Sequence, residues 1–441
     1  MKKLIDLGFI LLLTATMSAT NILTLEDALK SAQNNNPELR TAASEMQSAQ
    51  KSSQSSFMGL GPAANLNYSK RYSNPGSING VDETSSLNIS ASQPLFNGGK
   101  VFLSSLMAEN TYKIKKAAWR SKFLEVTTNT ETKYYSVQSN REMVKALEKN
   151  LEHSSASLEI ALAKYEAGIL SNAELLQMRS EKLSRELTLI NMRNAYSLSK
   201  LELADYAGIT GDFEIEDFSA AAIDELLAAV NALTPTQQKS LEERLLVLGE
   251  KNNPTLQISQ LGINNSKKAR LMAAGNFLPS LNLSYTYSWD NTNIEEDFEG
   301  SSTLSLMASV PIFPLADNAL DYQAARYDLR SSEFSYESTH NSIILAIRSS
   351  FLNLITSAKA VESARSGSEY AWETWQQMRA NFEQGLVSAN DLLSIEVMVI
   401  NSDTSYITAR QKLLESVSSL NLLLGLEEKA QLIEIINNPE E

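Results

Sequence analysis

The feature that most constrains the fold is an internal repeat with a constant offset of 217 residues. The segment Asn35-Asn36-Pro37 recurs as Asn252-Asn253-Pro254. Further positions matched at this offset, without a gap over nearly two hundred residues, are Pro62 and Pro279, Tyr68 and Tyr285, Pro94 and Pro311, Phe96 and Phe313, Gly168 and Gly385, and Gly208 and Gly425. Solenoid repeats have periods of about 20–50 residues, so this period is too long for a repeat array. The chain is therefore predicted to be a tandem duplication of one long unit.

The N-terminus has the layout of a secretory signal peptide. Two lysines precede an apolar stretch from Leu7 to Leu13, and small residues follow it. We expect residues 1–19 to be a signal peptide and the mature chain to be exported.

The rest of the chain then divides into a first structural repeat at 20–223 and a second at 224–441. Each repeat is predicted to contain a helix, two strands and a long helical hairpin, and the two repeats to form one intertwined fold.

Long proline-free stretches carry apolar residues at every seventh position. No proline lies between Pro94 and Pro235 or between Pro314 and Pro439. Because proline breaks helix interiors, these stretches are free to be long helices. The apolar positions are Val137, Val144, Leu151, Leu158 and Tyr165, then Leu176, Leu183 and Ile190 after a glycine, and Leu393, Ile400, Ile407 and Leu414 in the second copy. A seven-residue apolar period is typical of helices that supercoil against neighbours.

A glycine separates the two helical stretches of each copy. Glycine just past an apolar helix is a common left-handed C-cap, and a serine three residues later can cap the return helix. An acid a further three residues on can complete a capping box. The motifs are Gly168, Ser171 and Glu174 in the first copy and Gly385, Ser388 and Asp391 in the second. We expect each copy to end in a helical hairpin with a tight tip, and a kink in one continuous helix is the alternative.

Between the paired prolines of each copy, the apolar period changes from seven to two. The alternating segments are 64–72 and 86–92 in the first copy and 281–289 and 303–310 in the second, with polar loops predicted at 73–84 and 290–300. Their length and aromatic residues are typical of strands that cross an outer membrane, although soluble sheets alternate too. A single-chain membrane barrel needs at least about eight strands, and lipid tolerates no open edge. Four strands therefore predict an oligomer that shares one barrel.

Composition excludes several classes of function. With 38 Lys and Arg against 52 Asp and Glu, the net charge is −14, so no nucleic-acid partner is expected. There is no cysteine, and the two histidines lie in helical stretches without metal-ligand spacing. The sequence has no nucleophile elbow, phosphate-binding glycine loop or zinc-protease motif. We therefore expect no enzyme, no catalytic residue, no metal and no cofactor.

The chain resembles the TolC family of outer-membrane efflux proteins over essentially its whole mature length. The resemblance is carried by Leu25-Glu26-Asp27-Ala28-Leu29 with Asn36-Pro37, by Gln93-Pro94-Leu95-Phe96-Asn97-Gly98-Gly99, by both glycine turns and by the duplication. It implies a mixed α and β fold, mainly α, in which long coiled-coil helical hairpins form a tunnel. Four β-strands per subunit would contribute to a twelve-stranded β-barrel shared by a homotrimer. The implied location is the cell outer membrane, in contact with its lipid, with the tunnel extending into the periplasm.

The same resemblance implies a function and partners. The protein would be the passive channel of a tripartite efflux or secretion system that exports small molecules or proteins. Its partners would be a periplasmic adaptor (membrane fusion) protein and an inner-membrane transporter. A structural or adhesive surface coiled coil with a small β-anchor is the alternative.

The resemblance also assigns residues to the inner end of the tunnel. Adaptor docking is implied for the hairpin tips, at Gly168, Ser171, Gly385 and Ser388. Asp391 stands where the family narrows the tunnel with an acid, Glu174 keeps the acidic partner in the first tip, and Ser394 replaces a second acid. Val387 and Phe382 stand where an Arg and a Tyr commonly link the closed end. Alternatively, Asp391 acts only as the acid that caps the start of the return helix.

Overall fold

The computed structural model describes residues 21–73, 82–291, 299–313, 315–427 and 429–437. The predicted signal peptide at 1–19 lies outside these residues, as does most of each predicted strand-connecting loop. The described residues form β1 (Asn21–Leu23), α1 (Leu25–Asn35), α2 (Pro37–Met58), β2 (Ala63–Ser73), β3 (Asp82–Asn97), α3 (Lys100–Glu166), α4 (Asn172–Ala207), β4 (Phe213–Ile215), α5 (Ala220–Asn231), α6 (Pro235–Asn252), α7 (Pro254–Ala274), β5 (Ser280–Asn291), β6 (Glu299–Ser309), α8 (Leu315–Gln384), α9 (Ala389–Leu424) and α10 (Lys429–Asn437). The predicted mixed fold, mainly α, is confirmed.

The same elements recur at the 217-residue offset. The helix α2 begins at Pro37 and α7 at Pro254, and β3 begins at Asp82 and β6 at Glu299. The return helices α4 and α9 start and end at equivalent positions and have 36 residues each. The two copies therefore fold with the same order of long elements, while the boundaries of the repeats stay a prediction.

The chain divides into two compact units, and each takes segments from both copies. The hairpin unit comprises Met1–Asn36, Asn129–Leu227 and Lys359–Glu415. The sheet unit comprises Pro37–Thr128, Ala228–Ala358 and Ser416–Glu441. Within their described residues, the segments that pack together in each unit come from distant parts of the sequence.

The apolar stripe predicted to pack on α4 is exposed in the structure. The exposed fractions of Leu176, Leu183 and Ile190 are 52%, 64% and 54%. The buried residues of α4 are Leu175, Met178, Arg185, Leu189, Ser199, Leu203 and Ala207. The equivalent stripe on α9 is buried at Leu393 and Ile407. The helix α4 therefore carries two faces with apolar residues, and only one is covered within the part of the chain that the structure describes.

Among the residues that the structure describes, α8 contains a stretch long and apolar enough to cross a membrane. Within the sheet unit, Ile347, Phe351, Leu354 and Ala358 of this helix are buried. They recur at the spacing of three and four residues that defines one helix face. One face of this part of α8 therefore packs inside the protein, while Leu345 and Leu352 on its other side are exposed.

The four long strands form one antiparallel sheet in the order β2-β3-β5-β6. The pairing register places apolar residues opposite one another, as in the pairs Leu66 and Ile89, Ile89 and Tyr287, Ala91 and Tyr285, Tyr285 and Leu304, and Leu283 and Leu306. The rows between them pair small polar residues, such as Asn67 with Asn88, Asn88 with Ser288 and Ser288 with Ser301. Because successive side chains point to opposite faces, one face of the sheet is apolar and the other polar.

The strands are longer than the alternation predicts. Residues 93–97, which the sequence analysis places after the second strand, continue β3, and the register shifts between Pro94 and Phe96. Proline lacks a backbone donor, so within a sheet it is tolerated at such a bulge. The strands also extend into the predicted loops, since β3 begins at Asp82 and β6 at Glu299.

The structure contains short elements that the sequence does not predict. β1 and β4 form a parallel pair, and each has only three residues, too few to show an alternating pattern. Tyr134 of α3 donates a hydrogen bond to the Leu23 carbonyl of β1 at 3.1 Å in the buried interior. This contact attaches β1 to the long helix α3 within the hairpin unit.

The repeated Asn-Asn-Pro motif ties the start of each copy to the end of its hairpin. Asn36 Nδ2 donates to the Tyr206 carbonyl at 3.0 Å, and Asn253 Nδ2 donates to the Leu423 carbonyl at 2.8 Å. Asn253 Oδ1 also accepts the backbone N–H of Thr255 at 2.9 Å in the first turn of α7. One buried side chain therefore caps the N-terminus of one helix and binds a C-terminal carbonyl of another.

Replacing Asn253 with alanine is expected to lower the free energy of unfolding by about 2 kcal/mol, because it removes a helix cap and a buried donor. The measurement is thermal unfolding of the detergent-solubilised protein followed by circular dichroism. Ser259→Ala on the same helix is the control, since its exposed hydroxyl donates to the Thr255 carbonyl within α7. That change should stay within about 0.5 kcal/mol. Equal stability of the two variants would contradict the role given to Asn253.

Candidate functional site

The candidate site is formed by the two hairpin tips, which connect α3 to α4 and α8 to α9. The helix α3 ends at Glu166, and Gly168 follows in the left-handed region at φ 73°. The N–H of Ile169 donates to the Lys164 carbonyl at 2.9 Å, and the N–H of Gly168 donates to the Tyr165 carbonyl at 2.9 Å. These two bonds satisfy terminal helix carbonyls in the pattern of a Schellman C-cap.

The second tip repeats this geometry. Gly385 has φ 80°, the Leu386 N–H donates to the Asn381 carbonyl at 2.9 Å, and the Gly385 N–H donates to the Phe382 carbonyl at 3.0 Å. The left-handed backbone ends α8 here, as it ends α3 in the first copy. The predicted hairpin turns are therefore confirmed, and the alternative of one kinked continuous helix is wrong at both positions.

Each return helix begins with a reciprocal capping box. Ser171 Oγ accepts the Glu174 N–H at 3.2 Å, and Glu174 Oε2 accepts the Ser171 N–H at 3.0 Å. In the second tip, Ser388 Oγ accepts the Asp391 N–H at 3.2 Å, and Asp391 Oδ2 accepts the Ser388 N–H at 3.1 Å. Each serine hydroxyl also donates to its carboxylate at 2.7 Å. Both predicted caps are present.

The capping bonds favour the charged form of both acids. They lower the pKa of Glu174 and the pKa of Asp391, first through the serine hydroxyl and then through the serine backbone N–H. Asp391 is exposed, and so is Ser394, whose hydroxyl donates to the Asn390 carbonyl at 2.8 Å. Asp391 and Ser394 thus lie in the first turns of α9, and Glu174 lies at the matching place on α4. Their role in a constriction stays a prediction.

The tips of the two hairpins contact each other through Lys164. Its ammonium group donates to the Phe382 carbonyl and lies 4.6 Å from the centre of the Phe382 ring. The Phe382 side chain is buried in an apolar cluster, and Val387 packs against the same cluster. The two residues at the positions of the family's Arg and Tyr therefore belong to the packing of the tip, and a lysine of the first hairpin supplies the polar contact.

Each tip also exposes one large apolar side chain. Ile169 and Leu386 directly follow the two tip glycines, and their side chains are 71% and 69% exposed. The left-handed turn directs the chain away from the helix axis at this point. Both tips therefore present the same kind of apolar projection beside a charged cap.

The sequence analysis misses a buried ion pair in the hairpin unit. Arg185 of α4 and Glu396 of α9 approach to 2.6 Å, and both side chains are almost fully buried. In the sequence, the ion pair is indicated by a charged residue at a position where the helix pattern places a buried side chain. Glu396 lies three residues after Leu393 and three residues before Val399, and all three are buried.

Acidification is expected to weaken the starts of α4 and α9. The pKa of each capping acid is lower in the folded protein than in the unfolded chain. The caps therefore contribute their full stability above about pH 4, the unfolded pKa. This contribution is lost as the pH falls through the lower pKa of the folded protein. Hydrogen exchange of the first turn of each helix, corrected for the intrinsic pH dependence, measures this loss. The control is the first turn of α6, where Thr234 and Gln237 form an uncharged capping box. A matching loss in α6 would contradict the assignment to the two acids.

Solved structures similar to this chain share its fold. Against CusC the TM-score is 0.81 at 16% identity, covering 91% of this chain and 92% of that one. Against the CmeC outer membrane channel of Campylobacter jejuni it is 0.77 at 15% identity, covering 95% and 90%. Against the open state of the MtrE outer membrane channel of Neisseria gonorrhoeae it is 0.74 at 16% identity, covering 91% and 89%. At these identities the similarity establishes the architecture.

Sequence comparison identifies the family. The chain is 22% identical to the outer membrane protein TolC of Escherichia coli strain K12 over 363 residues, 79% of this chain and 71% of that protein. It is 21% identical to TolC of Salmonella enteritidis over 351 residues, 76% and 68% of the two chains. The family model for the outer membrane efflux protein matches residues 28–209 and again residues 245–426, two stretches separated by the same 217-residue offset. The chain belongs to the outer membrane efflux protein family, whose members are channels and not enzymes.

Proposed function

We propose that three copies of this chain form a passive duct that spans the outer membrane and extends into the periplasm. The duct would serve a tripartite system, with a periplasmic adaptor protein and an inner-membrane transporter, and would export small molecules or proteins. The observation that carries the proposal is the four-stranded sheet, which has one apolar face and two edge strands without a partner among the described residues.

The sheet requires more than one copy of the chain. In lipid, an unpaired backbone N–H or C=O has no water to bind, so spanning sheets close into barrels. Four strands are about half of the smallest known single-chain barrel. The outer edges of β2 and β6 can pair between copies, and three copies give twelve strands. The apolar face, with Leu66, Tyr285 and Leu304, would face lipid, and the serine and asparagine face would line the pore.

The second face of α4 supports the same assembly. Leu176, Leu183, Leu187 and Ile190 are exposed along one side of this helix. A row of exposed leucines at coiled-coil spacing is typical of a helix that packs against another helix. In the proposed trimer a neighbouring copy covers this row, which explains why the apolar repeat is present although the chain itself leaves it open.

The two tips are the proposed docking ends. Along the chain, α3 and α8 each begin a few residues after a strand and end at a tip. Each tip offers an exposed apolar residue, Ile169 or Leu386, beside the charged caps at Ser171 and Ser388. The transporter supplies the energy, so the duct itself needs no cofactor and performs no reaction. The net charge of −14 disfavours nucleic acid as a partner or cargo.

The proposed constriction lies at the same end. Asp391 is exposed, and a threefold axis would bring three copies of its carboxylate, with Glu174 and Ser394 near them, around the pore. Carboxylates grouped in a narrow passage create a negative potential that the low-dielectric walls focus. The constriction would favour cations and would have to widen for larger cargo.

Native mass spectrometry and planar-bilayer recording test the duct. We expect a species of three times the chain mass in mild detergent and discrete conducting steps after insertion into bilayers. A detergent-solubilised protein with intact β signal that stays monomeric would refute the shared barrel. A trimer that never conducts would favour the structural coiled coil instead.

Asp391→Asn is expected to reduce the cation selectivity of the channel and to weaken its block by multivalent cations, because the change removes the charge and keeps the size of the side chain. The measurement is the reversal potential under a salt gradient. Glu45→Gln, at an exposed residue of α2 in the sheet unit, is the matched control and should leave selectivity unchanged. If Asp391→Asn conducts like the parent and loses stability, the residue is a helix cap only.

A further inference from the structure

A cleft of about 360 Å³ lies in the hairpin unit, between the middle of α9 and the facing part of α3. Small-molecule sites in proteins enclose about 300–1,000 Å³, so the cleft is large enough for a small ligand. Its residues on α9 share one helix face, because they follow one another at the spacing of three and four residues. The lining residues are Glu142, Lys145 and Ala146 of α3, Asp217 of the segment after β4, and Asp403, Tyr406, Ile407 and Arg410 of α9.

Arg410 lies at one end of the cleft and has a donor that the chain does not use. Its guanidinium group donates to the Glu142 carboxylate, and its guanidinium carbon lies 4.9 Å and 4.6 Å from the ring centres of Phe218 and Tyr406. Only 11% of the side chain is exposed, and Nε is buried without a hydrogen-bond partner among the described residues. A buried N–H without a partner is unfavourable, since it has lost water and gained no acceptor. An acceptor that enters the cleft would satisfy it.

Asp403 lies at the other end, seven residues earlier along α9, which corresponds to about 10 Å of helix. Ser368 Oγ and Trp372 Nε1 donate to its carboxylate at 2.7 Å and 3.0 Å. Both bonds reach the same oxygen, Oδ1, and no donor within the described chain reaches Oδ2. The carboxylate is therefore held in place by two neighbours and keeps one oxygen for a cationic group.

Lys145 adds a second cation near the Arg410 end. Its ammonium group donates to Asp217 Oδ1 at 2.7 Å, and the next residue, Phe218, is the one that contacts the Arg410 guanidinium. The bond to Asp217 uses one of the three N–H donors of the ammonium group, and half of the Lys145 side chain is exposed. Lys145 can therefore bind a further anionic group without giving up its present partner.

The middle of the cleft is apolar apart from one hydroxyl. Ala146 and Ile407 supply the apolar surface. The Tyr406 hydroxyl makes no hydrogen bond to any residue that the structure describes, and burial raises its pKa, so it stays protonated and can donate. The cleft therefore has an anionic end, a cationic end and a mainly apolar middle.

The duplication indicates that this chemistry is not a consequence of the repeated hairpin fold. The residues equivalent to Glu142, Asp403, Tyr406 and Arg410 in the other copy are Lys359, Glu186, Leu189 and Arg193. Arg193 is 57% exposed and pairs with Glu148 in its own hairpin. Among these matched positions, a buried guanidinium beside an aromatic ring therefore occurs once.

We propose that this cleft binds a short free peptide, with the peptide ammonium group on Asp403 and the peptide carboxylate on Lys145 and the Nε of Arg410. The length follows from the spacing, since three extended residues span about 10 Å, as the two ends of the cleft do. The Tyr406 hydroxyl bonds to the peptide backbone, and small apolar side chains contact the middle of the cleft. The cleft contains none of the tip or constriction residues, so the inference goes beyond the proposed duct.

Isothermal titration calorimetry of the detergent-solubilised protein with tri-alanine tests the site. We expect binding that saturates at one peptide per chain, with a Kd of about 1 mM or below. N-acetyl-tri-alanine amide has the same backbone without the two charges and should bind at least about tenfold more weakly. No saturable binding of tri-alanine, or equal binding of the blocked peptide, would overturn the proposal.

Two variants each remove one charge from the cleft. Asp403→Asn keeps an oxygen that can accept the two hydrogen bonds to Oδ1, and Lys145→Met keeps the length of an exposed side chain. Each should bind tri-alanine about tenfold more weakly than the parent. The matched control is Lys133→Met on the same helix, where Lys133 pairs with Glu202 at 3.6 Å outside the cleft. That variant should bind within about twofold of the parent, and an equal loss there would contradict a specific cleft.

Peptides blocked at one end assign the two ends separately. N-acetyl-tri-alanine lacks the ammonium group, and tri-alanine amide lacks the carboxylate. Asp403→Asn should not weaken the acetylated peptide further, and Lys145→Met should not weaken the amidated peptide further, because the interaction that each variant removes is already missing. Equal losses for both peptides in both variants would show that the charges act on the fold and not on the ligand, and would refute the site.

A milder variant covers the case in which a charge variant does not assemble. Tyr406→Phe removes only a hydroxyl that has no partner in the described chain, so thermal unfolding should match that of the parent. We expect tri-alanine to bind about threefold more weakly, because one hydrogen bond to the peptide is lost. Binding at parent strength in Tyr406→Phe would contradict the placement of the peptide. These measurements need no conduction, so a silent channel that binds tri-alanine would refute the duct and keep the site.

Discussion

The proposed duct depends on how the backbone N–H and C=O groups at the two outer edges of the sheet are satisfied. β2 and β6 each pair on one side only within the described residues. Water satisfies such an edge in solution, but the hydrocarbon of a membrane does not. In the proposed duct, the number of copies therefore follows from closing this sheet into a barrel. The exposed leucines of α4 then become buried contacts between copies.

The contacts of the long helices are of two kinds, because some occur in both copies of the duplication and others occur only once. The left-handed glycines, the serine caps and the asparagine that binds the end of the return helix occur in both copies. All of them join residues of the same copy. The contact of Lys164 with Phe382 and the pair of Arg185 with Glu396 occur once and join one hairpin to the other. In the proposed duct, the contacts repeated in both copies stabilise each hairpin. The contacts that occur once fix the position of one hairpin relative to the other.

Local patterns allowed much of the fold and both tips to be predicted from the sequence. Gly168 and Gly385 end their helices, and the alternation in 281–289 predicts a strand with one apolar face, because each signal depends on neighbouring residues alone. The seven-residue period marks the exposed stripe of α4 as a packing face, but it does not say which partner covers that face. The short pair of β1 and β4 and the buried Arg185 depend on contacts between distant segments. A local pattern can indicate a buried charge, as at Glu396, but it does not identify the distant partner.

The interleaving of the two copies has a consequence for the order in which the chain can fold. β3 pairs with β5, and nearly two hundred residues separate these neighbouring strands. The hairpin unit likewise needs the second hairpin before its buried cluster exists. The edge of β3 that pairs with β5 therefore stays open until the second copy has begun to be made, and pairings over such sequence separations form slowly. Between synthesis and insertion, the earliest strands are therefore open to pairing with other chains, because their own partners have not yet been made.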